Sequence, residues 1–190
     1  GVKLLAYTSL LRADTSPLGL AAEHKETEAM LSASGLPFVL LRNGWYTENH
    51  AASVPAALQY GAVMGSAKDG RIASATRADY AAAAAAVLTK DDQAGKVYEL
   101  AGDTAYTLSE LAAEIAQQSG KPVVYNDLPE AAYAAALMQV GLPKDFAALL
   151  ADSDVGASKG GLFDDGHQLS QLIGRPTTPL ADVVKAALAA

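Results

Sequence analysis

Four groups of residues have the types and spacing from which chemistry can be built. Asn43-Gly44-Trp45-Tyr46-Thr47-Glu48 joins a carboxamide, a hydroxyl and a carboxylate to two aromatic rings. Gly44 lets a ligand approach the backbone closely, its neighbours offer polar recognition, and Trp45 and Tyr46 can flank a flat ring. The plainer use of the same residues is a turn at Asn43-Gly44 with Trp45 as a core anchor. Thr8 and Ser9 close an apolar run, where hydroxyls either meet a ligand or satisfy loose backbone groups. His24 and Glu28 stand four apart, so on a helix they share a face, and a carboxylate there raises an imidazole pKa. Ser74, Thr76, Arg77 and Asp79 precede or open an alanine-rich stretch. Ser74 is a candidate ligand contact, while Arg77 and Asp79 read as structural, either bridging a cap to the rest of the fold or forming surface pairs worth only ~0–1 kcal/mol.

Other chemistries do not fit. Gly156-Ala157-Ser158-Lys159-Gly160-Gly161 is glycine-rich around a lysine, but a phosphate loop needs Ser or Thr after that lysine. The segment reads instead as a flexible loop near a substrate opening. Asp152 with Asp154, and Asp164 with Asp165, lack the spaced oxygen ligands of a calcium loop. His24, His50 and His167 have no metal-like spacing, so no metal is expected. The absence of cysteine removes disulfides, thiolate zinc sites and a cysteine nucleophile together, and it fits a reducing cytoplasm.

The elements that must position these residues are legible in outline. Lys3–Leu11 is a short, nearly continuous apolar run of the kind buried on both faces of a parallel sheet. A loop over Arg12–Gly19 leads to a helix over Ala21–Ser34, closed by Gly35 with Pro37 beyond it. Phe38–Leu41 is a second apolar strand. A helical crossover between two strands forces them parallel, which makes this the unit of a doubly wound α/β sheet. The polar and aromatic loop from Asn43 then lies at a strand's carboxyl end, where open α/β sheets bind ligands. Further on, a helix over Ser53–Tyr60 ends at Gly61, and Val63–Arg71 reads as a hairpin or turn. Thr76 caps a helix through Lys90, in which Tyr80, Val87 and Leu88 supply the bulk that alanine lacks. Lys96–Leu100 is a strand, Thr107 and Glu110 form a capping box for a helix ending at Gly120, and Pro122–Tyr125 is a last strand. Helices follow around Glu130–Val140, Asp145–Ala151 and Leu180–Leu188.

A length of 190 residues and an apolar fraction of 51% suit about one well-packed domain rather than a disordered chain. The net charge of −7, with scattered Lys and Arg, argues against a nucleic-acid partner. No apolar run reaches the ~20 residues of a membrane span. No G-x-G-x-x-G opens a helix after a strand anywhere in the chain.

Five collinear segments carry a resemblance: YTSLLRADTSPLGLAAEH, LLRNGWYTENH, IASATRADYAAAAA, KVYELAGDTAYTL and DSDVGASKGGLFDD. Together they resemble the NmrA-like atypical short-chain dehydrogenases/reductases, in particular bacterial NAD(P)H:quinone oxidoreductases and the related triphenylmethane reductases. The resemblance implies the C-terminal part of a Rossmann-type doubly wound parallel sheet with a small helical substrate-side cap. Residues 1–50 would close the dinucleotide-binding domain, and 51–190 would form a mixed substrate and cap region packed on it, not an independent domain. The family's glycine-rich half precedes the point where this chain starts. At ~30 or more residues per βαβ unit, this implies roughly 90 to 100 residues upstream and a chain inactive by itself.

The implied activity is hydride transfer from NADPH, with NADH as the second cofactor and no flavin, to a small-molecule acceptor such as a quinone. A triphenylmethane dye is the alternative acceptor, and a non-catalytic NADP-binding redox sensor is the alternative function. By resemblance, the loop Asn43, Gly44, Trp45, Tyr46, Thr47 and Glu48 lies along the nicotinamide end, with Thr8, Ser9 and Ser74 as further cofactor or substrate contacts. His24 and Glu28 fall where the superclass carries Y-x-x-x-K. Replacement of both argues against carbonyl reduction of the alcohol-dehydrogenase type, but not against quinone reduction, whose oxyanion product water can protonate. The catalytic residue is therefore left unassigned, with His24 and Tyr46 as candidates. A cytoplasmic protein is expected, and a homodimer remains open.

Overall fold

The computed structural model describes residues 1–189. In chain order its elements are β1 (Leu5–Leu10), α1 (Ala21–Ala33), β2 (Phe38–Asn43), α2 (Thr47–Ala51), α3 (Val54–Tyr60), β3 (Ala62–Gly65) and α4 (Arg77–Leu88). They continue with β4 (Val97–Leu100), α5 (Leu108–Ser119), β5 (Val124–Asp127), α6 (Glu130–Gln139), α7 (Lys144–Ser158), α8 (Gln168–Ile173) and α9 (Leu180–Ala189).

β1, β2 and β4 form a parallel three-stranded sheet in that order. The register places Leu10 beside Asn43 and Asn43 beside Leu100, so the three strands end level. β2 alternates its side chains between two covered faces, as the apolar runs require. Val39 and Leu41 pack with Tyr80, Ala83 and Val87 of α4 and with Leu169 of α8. Arg42, one residue on from Leu41, meets α1 instead, through Glu28. Of the expected bulk on α4, Tyr80 and Val87 are buried, but Leu88 points to solvent. β4 and α4 thus return to the sheet of the first fifty residues, so segment 51–190 interleaves with 1–50.

Local signals place some of the helix ends. Thr76 accepts from the Asp79 amide at the start of α4. Thr107 and Glu110 exchange hydrogen bonds of 3.1 and 2.7 Å at the start of α5. Three expectations are corrected. Residues 62–65 are not a hairpin: β3 pairs in parallel with the distant β5, in a separate two-stranded sheet. The loop from Asn43 turns helical at Thr47, and α8 is a helix that the sequence pattern does not mark. Finally, α7 runs to Ser158, so Gly156 lies in its last turn rather than in a flexible loop. A Cβ on Gly156 would lie 2.7 Å from the Leu18 side chain. The glycine there serves close packing of helix against loop.

Candidate active site

A cavity of about 760 Å³ opens beyond the level ends of β1 and β2, within the size range of small-molecule sites. Its polar lining comes from Thr8, Ser9, His24, Asn43, Asn49, Ser53 and Arg77, with the rings of Trp45 and Tyr46 beside them. The rest of the wall comes mainly from α3, β3 and the α6–α7 hairpin and is almost entirely apolar.

Asn43 ends β2 with its backbone fully used, since its carbonyl accepts from the Leu11 amide. Its side chain is buried, and Oδ1 has no hydrogen-bond partner. An acceptor buried in this state costs about 1–3 kcal/mol. Gly44 follows with its amide on the Leu100 carbonyl at 2.8 Å. A Cβ there would lie 3.1 Å from the Tyr80 hydroxyl and 3.2 Å from the Leu100 carbonyl oxygen. Packing against β4 and α4 therefore already leaves little room for a side chain here. Trp45 is both a core residue and part of the cavity wall. Tyr46 lies edge-on to Tyr80, and the Arg77 guanidinium sits 4.7 Å above its ring.

Thr47, Glu48 and Ser74 are not among the cavity-lining residues. Glu48 accepts from the Arg77 amide at the start of α4. The Thr47 and Ser74 hydroxyls are buried and 2.8 Å apart. Ser74 also meets the Tyr106 hydroxyl at 2.7 Å, which in turn meets His50 Nδ1 at 2.7 Å. These side chains form one internal chain that fixes α2 against the segment before α4. Burial pushes the His50 pKa down to about 4. A histidine whose folded pKa is depressed contributes stability above its unfolded value, near 6.5, and loses it as pH falls toward the folded value. The complete gene product should therefore lose stability from about pH 6.5 toward 4, and His50→Gln should flatten that part of the profile. A profile unchanged by the substitution would exclude His50 as the cause.

At the other side of the cavity, His24 Nδ1 lies 2.8 Å from the Tyr7 hydroxyl. Burial lowers the His24 pKa and outweighs the opposing carboxylates of Glu28 and Glu23, contrary to the elevation expected from Glu28 alone. Glu28 is committed elsewhere. It accepts from Ser9 Oγ at 2.5 Å and from Arg42 through both carboxylate oxygens, at 2.9 and 2.7 Å. Arg42 also reaches Glu99 at 2.8 Å and Asp14 at 3.1 Å. One guanidinium thus ties α1, β2 and β4 together under the cavity, and Ser9 has its hydroxyl turned to that cluster. Thr8, by contrast, is exposed at the cavity wall.

Asp79 is not a surface charge. It is fully buried, accepting from Thr76 Oγ1 at 2.8 Å and from the Thr178 amide at 2.9 Å. Arg175 approaches its other oxygen, Oδ1, at 2.7 Å. Among the described residues, no cluster of three or more His, Cys, Asp or Glu could hold a metal ion. No described helix is long and apolar enough to cross a membrane.

The parallel sheet, its helical crossover and the cavity beyond its strand ends define the NAD(P)-binding Rossmann-like class. The chain is 67% identical over 184 residues to quinone oxidoreductase 2 of Escherichia coli K12, an alignment covering 97% of this chain and 64% of that protein. A crystal structure of an NADPH-dependent quinone oxidoreductase from E. coli superposes with a TM-score of 0.97 at 65% identity, over 99% of this chain and 68% of that one. A triphenylmethane reductase from Citrobacter sp. superposes with a TM-score of 0.92 at 34% identity, over 100% of this chain and 66% of that one. No family model matches the sequence. The chain belongs to the family of these reductases, the NmrA-like atypical short-chain dehydrogenases/reductases.

Proposed function

We propose that the complete gene product is a cytoplasmic NADPH-dependent oxidoreductase acting on a quinone, and that this chain forms the nicotinamide and acceptor side of its active site. The observation that carries this reading is Asn43. Asn43 lines the cavity at a strand end, and its buried Oδ1 has no partner within the protein. That acceptor suits the amide of a nicotinamide carboxamide. The same residues do not suit the pyrophosphate, since no glycine-rich fingerprint opens a helix here. NADPH, when bound, supplies the hydride. In this assignment Asn43 orients the ring, while Trp45 and Tyr46 help to exclude water around it. With Tyr7 as donor to Nδ1, the tautomer this reading takes, His24 Nε2–H is left to hydrogen-bond the oxygen of a reduced acceptor, whose proton comes from water. The 67% identity to a quinone oxidoreductase supports the choice of acceptor.

The test follows NADPH absorbance in the complete gene product with menadione added. Rapid acceptor-dependent loss is expected. Oxidation with a triphenylmethane dye alone would change the acceptor, and tight NADPH binding without oxidation by either would point to a sensor. His24→Ala should lower kcat/KM for menadione by about tenfold, ~1.4 kcal/mol, because the developing oxyanion loses the Nε2–H hydrogen bond while water still supplies its proton. Burial lowers the His24 pKa, so any change in the wild-type rate that follows its titration should fall at lower pH than for an ordinary imidazole. A variant with unchanged kinetics would remove His24 from the chemistry.

A further inference from the structure

The polar residues of the cavity come from β1, α1 and the segment after β2, whereas the opposite wall carries almost none. Every side chain that α6, α7 and their connection contribute is apolar or aromatic: Tyr133, Leu137, Val140, Leu142, Phe146, Leu149 and Leu150. This wall continues outward instead of closing. Val140 and Phe146 are each 51% exposed and Tyr60 on α3 is 61% exposed, so a large apolar shelf leaves the cavity toward solvent. α6, with the sequence EAAYAAALMQ, has no fully buried residue. Exposed apolar area continuous with a pocket marks a ligand's path more than a random surface patch.

We propose that the acceptor is amphipathic, a conjugated head carrying an aliphatic chain, and that the chain lies on the shelf formed by Leu137, Val140, Leu142, Phe146 and Tyr60. This rests on the reading of the cavity as a quinone site. The flat head takes the end where Asn43, Tyr46 and His24 stand, because the carboxamide, imidazole and guanidinium groups of the lining gather there, while the shelf offers no polar group besides the phenols of Tyr60 and Tyr133. The other end offers dispersion contacts and removal of apolar surface from water, which reward methylenes and give nothing to a bare polar ring. The cavity of about 760 Å³ lies in the upper part of the usual range for small-molecule sites, leaving room for more than a ring. Burial of one methylene is worth about 0.8 kcal/mol, or roughly fourfold in affinity.

The experiment compares a dimethoxy-methyl-benzoquinone with its decyl-substituted derivative, using the complete gene product. Two readouts are taken: NADPH oxidation, and quenching of tryptophan fluorescence by the oxidised quinone without NADPH, with Trp45 in the cavity wall as reporter. The decyl compound is expected to show at least tenfold lower KM and quenching midpoint, with kcat similar for the two. Phe146→Ser, at a half-exposed position that leaves the core intact, should shrink both ratios severalfold. Equal values for the two quinones overturn the proposal, as does a decyl advantage that survives Phe146→Ser. A decyl preference in quenching without NADPH oxidation by either quinone supports the shelf and overturns the reductase reading instead.

Discussion

Arg42→Met is expected to destabilise the complete protein by about 3–5 kcal/mol at neutral pH. The Arg42 and Glu28 side chains are each only 11% exposed, and Glu99 beside them is 23% exposed. Removing the guanidinium leaves the Glu28 carboxylate with little water and no cation. Burial alone would raise the Glu28 pKa, but the hydrogen bonds from Arg42 and Ser9 outweigh it and hold Glu28 below the usual carboxylate range. A depressed folded pKa means that this stabilisation is present above the unfolded value, ~4.3, and is lost as pH falls through the folded one. In the variant, burial acts with far less opposition and the sign reverses: Glu28 protonates more readily when folded, so the deficit shrinks on acidification. Denaturant titrations at pH 7 and pH 5 measure both effects. The double variant Arg42→Met/Glu28→Gln should recover part of the loss, because no unpaired charge remains at Glu28. A deficit below ~1 kcal/mol would place the cluster among ordinary surface pairs.

Asp79→Ala is expected to remove about 3 kcal/mol, lowering the thermal midpoint by roughly 6–12 °C. The carboxylate is fully buried and serves two donors, Thr76 Oγ1 and the Thr178 amide. Each donor buried without an acceptor costs ~1–3 kcal/mol. Arg175 is half-exposed and can turn to water, so the loss falls on those two donors and not on the cation. Burial would raise the Asp79 pKa, yet the Thr178 amide, Thr76 and Arg175 hold it below the usual value. Its contribution is therefore complete at neutral pH, persists down to the unfolded value, ~3.9, and is lost as pH falls through the folded one. Asp79→Asn, which keeps the size and one acceptor, should lose less than alanine. Equal losses for the two substitutions would show that the hydrogen bonds do not carry the effect.

The site was legible in part. Its location beyond β2 followed from an apolar strand ending in Asn43-Gly44, because ligand sites in parallel sheets track strand ends. Asn43, Gly44, Trp45, Tyr46, Thr8, Ser9 and His24 all come to the cavity. Thr47 and Glu48 do not, since helix α2 begins there and turns their side chains to other partners, and Ser74 is held inside by Thr47 and Tyr106. Tyr7 gave no signal in the sequence, because its role as a partner of His24 depends on α1 packing against β1. The apolar shelf was equally hidden. Apolar residues on α6 and α7 look like core until the structure shows which of them face no other element.

What the sequence determined by itself is what depends on residues within a few positions of one another. The apolar runs of β1 and β2, the Thr76 cap, the Thr107–Glu110 box and the glycine stops belong here, since each hydrogen bond or burial pattern closes locally. The absence of cysteine chemistry and the family resemblance belong here too. Tertiary structure alone decided the pairing of β3 with β5, the Glu28–Arg42–Glu99 cluster, the Asp79–Thr178 contact and the direction in which the His24 pKa moves. These join residues far apart in the chain, and their energies balance burial against partners that only packing supplies. The same four-residue spacing that makes Glu28 a neighbour of His24 indicates a raised imidazole pKa, and burial reverses it.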